Sequence, residues 1–179
     1  TWTATDSSGN SASSTQIISV IDTTVPSITV PNDIQIEATS INANIVEFGL
    51  AEASDLVEIS SITNDAPQVF PLGETIVTWT ATDVIGNTST ITQSVHLIDS
   101  ISPRISYLDD LIVEASNQTE NSVELVIPES SDQVGLSSVT NDAPQVFPLG
   151  ETIVTWTATD SSGNSASSTQ IISVIDTTV

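Results

Sequence analysis

The sequence repeats itself, and that constrains its fold more than any other feature. Thr1 to Val25 (TWTATDSSGNSASSTQIISVIDTTV) returns letter for letter as Thr155 to Val179. Asn64 to Asp83 (NDAPQVFPLGETIVTWTATD) returns as Asn141 to Asp160. The second pair lies at an offset of 77 residues and the first at twice that; the same step relates Trp2, Trp79 and Trp156, and Asp22, Asp99 and Asp176. Residues 26–102 therefore align with 103–179 without a gap, at about half identity. A short period of this kind marks an array of small units that stack on their neighbours. It predicts two whole modules, 26–102 and 103–179. Residues 1–25 read as the C-terminal strands of a preceding repeat, so the chain is expected to be an excerpt from a longer array.

Composition removes most chemistries. Against 23 Asp and Glu the chain sets one cationic side chain and one His, for a formal charge of −22. Nucleic acid and anionic membranes would be repelled. No apolar run approaches the roughly 20 residues of a membrane-spanning helix. Without Cys there is no disulfide or thiolate site, and without Lys no Schiff base, P-loop lysine or Lys–Asn isopeptide bond. A single, unrepeated His argues against a Ser-His-Asp triad or a zinc hydrolase. An enzyme is not expected.

The hydrophobic pattern has period two, with no convincing helical stretch. Val77, Trp79 and Ala81 share one face, with Thr78, Thr80 and Thr82 on the other. Ile34, Ile36 and Ala38 are expected inward and Glu37 outward. Val95 and Leu97 oppose His96 and Ile98 in the last strand, 88–99. Shorter strands are expected at 27–30, 45–48, 57–63 and 68–70, separated by turns such as Pro31-Asn32-Asp33 and Gly86-Asn87. Seven short strands in 77 residues predict an all-β protein of tandem immunoglobulin-like β-sandwich modules. The long, neutral strand 165–174 lacks the lysines that usually guard an edge, so lateral pairing or a glycan coat is expected there.

The run Phe70-Pro71-Leu72-Gly73-Glu74-Thr75-Ile76-Val77-Thr78-Trp79-Thr80-Ala81-Thr82-Asp83, followed by Gly86-Asn87 and closing on Ile98-Asp99 before Pro103, resembles the hyalin repeat (HYR). The family pattern is close to FPxGxTxVxCxAxDxxGN…VxVxDxxxP. Ile34–Ala38 fits its early strand and Ser54-Asp55 its middle acidic turn. The likeness covers both modules. Trp79 and Trp156 stand where many animal members carry Cys, which suggests a prokaryotic or archaeal surface protein with an indole-filled core. The resemblance implies an extracellular immunoglobulin-like module concerned with adhesion and surface architecture, and no catalytic residues.

Acidic residues recur in register. With the B–C and F–G loops placed at the leading end of each module, Glu37, Asp83 and Asn87 are expected to meet Asp22 from the linker. The next joint repeats the set as Asp99, Glu114, Asp160 and Asn164. Three carboxylates and an amide oxygen make a hard-oxygen cage suited to Ca²⁺. The alternative is that each acid only caps a turn. The Trp series is expected in the core. Asn87-Thr88-Ser89 and Asn117-Gln118-Thr119 match the glycosylation acceptor, making Asn87 and Asn117 candidates.

The repeat pattern, with what the resemblance implies, points to a structural extracellular protein forming a fibre, stalk or cell-surface filament, adhesive in a secondary role. Its expected partner is itself, as a head-to-tail or lateral homopolymer or as further repeats, with glycans as a second class. Nucleic acid and membrane insertion are excluded. The alternatives are a ligand-binding adhesin module or an accessory module of a secreted hydrolase.

Overall fold

The computed structural model describes residues 1–178, and no helix occurs among them. The strands are β1 (Trp2–Thr5), β2 (Ser11–Ser14), β3 (Ser27–Thr29), β4 (Ile34–Glu37), β5 (Glu52–Ser54), β6 (Ile59–Asn64) and β7 (Gly73–Asp83). They continue as β8 (Thr88–Ile98), β9 (Arg104–Ile105), β10 (Leu111–Glu114), β11 (Ser130–Ser131), β12 (Leu136–Asn141), β13 (Gly150–Asp160) and β14 (Ser165–Ile175). The protein is all-β, and β9–β14 repeat β3–β8 at the sequence period. The fold class is the immunoglobulin-like sandwich.

Two compact units divide the chain. The first comprises Thr1–Val30, Ala51–Asn64 and Trp79–Ile91. It holds the β1–β2 hairpin, the antiparallel pair β3–β5, and β6 laid antiparallel on the second half of β7, from Asn64↔Trp79 to Ile59↔Asp83. Trp79 and Ala81 are buried on the β7 face that alternation assigns to them.

The second unit takes Pro31–Leu50, Asp65–Thr78 and the chain from Thr92 onward. Its main sheet has the order β10-β14-β13-β12, with β10 parallel to β14 and the other neighbours antiparallel. The pair β9–β11 forms the second layer, with β9 against β13 and β14. Between them Phe147, Val154, Trp156, Ile172 and Val174 form the core, flanked by Leu111, Leu125 and Val139. The Trp156 indole N–H donates to Gln170 Oε1 at 3.3 Å, so the buried ring leaves no orphan donor. In the same unit β4 runs parallel to the end of β8, from Ile34↔Val95 to Glu37↔Ile98.

Several expectations change. Trp2, expected in the core, is 71% exposed in the two-stranded sheet β1–β2, which has no second layer over it. No strand forms over 68–70 or over 45–48; instead Asn44 makes a single bridge to Phe70. Its buried amide accepts from Thr39 N and Ser40 N and donates to Ser40 O and Phe70 O, replacing ladder bonds with side-chain bonds. Asn121 does the same with Ser116, Asn117 and Phe147. Ile36 is 37% exposed rather than inward, and Ala38, just past the end of β4, carries the burial. Strand β14 is interior over Ile172–Ile175, where β10 covers it, and not a free edge along its length.

Candidate acidic cation sites at the linkers

Each linker acid is drawn to two turn acids of the repeat that it leads into. Strand β7 ends at Asp83, and Gly86, at φ +102°, turns the chain back into β8. That left-handed residue lets the backbone N–H groups of Ile85, Gly86 and Asn87 all donate to Asp83 Oδ1, at 2.8, 2.6 and 2.9 Å. The Asn87 amide adds a bond from Nδ2 to Asp83 Oδ2 at 2.8 Å and reaches Asp22 O at 3.4 Å. Asp160 repeats the turn, taking Ser162 N and Asn164 N on Oδ1 and Asn164 Nδ2 on Oδ2. Asn164 Nδ2 also meets Asp99 O at 3.1 Å.

Both turn carboxyls are buried, at 1% and 2% exposure. Burial alone pushes their pKa up. The donors from Asn87 and Asn164, together with the turn amides, outweigh it and hold both below the usual value of 3.8. Both are therefore charged at neutral pH.

Oxygens of Asp22, Asp55 and Asp83 all lie within 4.8 Å of one another, and those of Asp99, Asp132 and Asp160 do the same. The members Asp22, Asp83, Asp99 and Asp160 were legible from the sequence, and the structure brings them together. Asp55 and Asp132 were missed as ligands, although they too recur on the offset, each in the turn after a short strand.

Glu37 and Glu114 are not in the clusters. In the second unit β10 runs parallel to β14, which sets Glu114 beside Ile175, while Asp160 and Asn164 stand where β14 begins. The strand length between is roughly 30 Å at about 3.3 Å per residue. Glu114 instead accepts from Thr177 N and Oγ1, both at 2.8 Å. Glu37, in the same register beside Ile98, accepts from Ser100 N at 2.7 Å and Ser100 Oγ at 2.9 Å. These glutamates hold the outgoing linker.

Asn87 and Asn164 also differ from expectation: each turns its amide nitrogen, not its oxygen, to the acids. Asn87 is half-buried with that amide engaged. Asn117 is exposed on the loop after β10. Of the two glycan candidates, Asn117 alone presents a free surface.

The donor set suits a hard dication, and one observation tests the fit. Asp22 Oδ2 and Asp55 Oδ2 are shut off from solvent and accept no hydrogen bond. A buried carboxylate oxygen without a donor is costly, and two on neighbouring acids of one cluster more so.

The HYR domain profile matches residues 21–97 and 108–174. The chain belongs to the HYR domain family. Hyalin of the sea urchin Lytechinus variegatus is 37% identical over 98% of this chain and 36% of its own length. Hyalin of Strongylocentrotus purpuratus is 36% identical over 96% of the chain and 15% of its own length. A rat protein described as sushi, von Willebrand factor type A, EGF and pentraxin domain-containing protein 1 is 32% identical over 80% of the chain and 4% of its own length. These HYR repeats thus span about a third or less of the relatives named here. Among solved structures, Drosophila N-cadherin EC1-4 is similar over 86% of the chain and 50% of its own, with a TM-score of 0.40 at 12% identity. No helix of the HYR chain among the described residues is long and apolar enough to cross a membrane.

Proposed function

We propose that this chain is a section of an extracellular adhesive repeat protein whose HYR repeats are set in fixed succession by Ca²⁺. The protein works mechanically and by association, as a fibre, stalk or surface filament, and the chain contributes no catalytic residues. The observation that carries the reading is the recurrence of one acidic triad. Asp22, Asp55 and Asp83 recur as Asp99, Asp132 and Asp160, each built from one linker acid and two turn acids. A dication shared by such a triad ties the linker to the repeat that follows; without it, three like charges push the linker away. Backbone carbonyls and water complete the six to eight oxygen ligands that Ca²⁺ takes. Hyalin and the other relatives support an extracellular, adhesion-type setting.

The test is a comparison of the full chain in calcium and in chelator by thermal melting and small-angle scattering. Calcium is expected to raise the melting temperature and narrow the distribution of maximum dimensions. Identical curves in both conditions would leave the acids as turn caps.

A further inference from the structure

The two triads have the same acids but not the same surroundings. The turn after β7 reads Asp83-Val84-Ile85-Gly86-Asn87, and the turn after β13 reads Asp160-Ser161-Ser162-Gly163-Asn164. The Ser162 hydroxyl donates to Asp99 Oδ2 at 2.7 Å. Its equivalent, Ile85, has no hydroxyl to give, and Asp22 Oδ2 stays buried and bare. Thr24 does supply a hydroxyl near the first triad, but it points to Asp22 Oδ1 and Asp55 Oδ1 and leaves both Oδ2 atoms untouched. The same place in the second triad holds Ile101, which offers only its backbone N–H, at 3.3 Å from Asp99 Oδ1.

We propose that the first triad binds a divalent cation more tightly than the second, by about tenfold, and that the side chain at turn position 85 or 162 sets the difference. The inference rests on the cation reading above. Two oxygens of the first triad have no partner to surrender when a cation arrives. In the second triad, Asp99 Oδ2 must release a charge-assisted hydrogen bond of the stronger class before that oxygen can coordinate, and the cost is subtracted from affinity. Ile85 brings no donor to the first site, whereas Ser162 brings a competing donor to the second. Successive repeats would therefore fill at different calcium concentrations, and an array would tighten in steps.

Calorimetric titration of the full chain with calcium chloride tests this, with Asp55→Asn and Asp132→Asn assigning each step to its triad. The expected result is two steps about tenfold apart, the tighter removed by Asp55→Asn and the weaker by Asp132→Asn. Ser162→Ala should tighten the second step toward the first, and Ile85→Ser should weaken the first toward the second. Both positions are exposed turn residues, and circular dichroism checks that each variant is folded; either variant alone reads the effect. Equal steps in the parent chain, or the tighter step lost in Asp132→Asn, would overturn the ordering. A weaker second step in Ser162→Ala would show that the hydroxyl oxygen joins the coordination instead of competing with it, and would overturn the proposal too. Absence of any binding at millimolar calcium would sink the cation reading itself.

Discussion

Glu37 holds Ser100 by both of its atoms that can donate, the backbone N–H and the hydroxyl. The neighbouring Asp99 accepts from Ser162 and, through its carbonyl, from Asn164. Adjacent linker residues are thus fastened in opposite directions, one to the repeat just finished and one to the repeat about to begin. Glu37→Ala removes the first fastening alone. It should cost about 1–2 kcal/mol in chemical denaturation, with calcium affinity unchanged. A fall in calcium affinity equal to that of Asp132→Asn would place Glu37 in the cation site after all.

Within residues 1–179 Trp156 should behave as a core residue, and Trp2, which has the same flanking sequence but lies in the two-stranded sheet β1–β2 without the other strands of its repeat, as an exposed one. Trp156 is 2% exposed and Trp2 71%. Trp156→Ala should lower unfolding free energy by about 3–5 kcal/mol, whereas Trp2→Ala should change it by less than about 0.5 kcal/mol. Urea denaturation of both variants separates the two.

The buried amides are a further point of failure. Asn121→Ala strips partners from the backbone of Ser116, Asn117 and Phe147 together and should cost about 2–3 kcal/mol. Asn121→Asp keeps the acceptor, loses two donors and buries a charge, so it should be the worse of the two at neutral pH. Thermal melting in parallel buffers gives the order, and an Asp variant as stable as the parent would contradict the assigned geometry.

Acid should weaken the turns in a defined direction. Asp83 and Asp160 have folded-state pKa values below their ordinary value of 3.8. Their contribution is fully present above that ordinary value and is lost as pH falls through the lower, folded value. Stability measured without calcium should therefore be flat near neutrality and decline in the region below the ordinary carboxylate range. In Asp160→Asn that decline should be shallower.

The legible part of this fold was the part that local alternation controls. Val77, Trp79 and Ala81 declare their face because the strand period is two, whatever lies beside them. The recurrence of Asp22, Asp83, Asp99 and Asp160 showed which acids to compare. Strand direction was not local: nothing in Ile34–Glu37 says that it runs parallel to the end of β8, so Glu37 was assigned to the incoming linker although it holds the outgoing one. Asp55 and Asp132 lie in turns without hydrophobic pattern; their shared offset and the fit of Ser54-Asp55 to the family's acidic turn marked them, but neither signal says that they meet the linker acid. Asn44 and Asn121, like Gln93 and Gln170, look like surface residues by type. Their burial follows from backbone groups that need partners, and repetition at the period was their one signal.

The parallel pairing of β10 with β14 has a mechanical consequence. Tension applied along an array enters a repeat near its first strands and leaves through the end of its last one. Parallel partners pulled from opposite ends slide past each other, so the bonds from Leu111↔Ile172 to Glu114↔Ile175 are strained together and not peeled one after another. Such a latch resists until it gives way as a whole. Single-molecule stretching of the chain should show one abrupt rupture per complete repeat, moved to lower force by a proline at Val113, where a gradual, low-force extension would speak against shear loading.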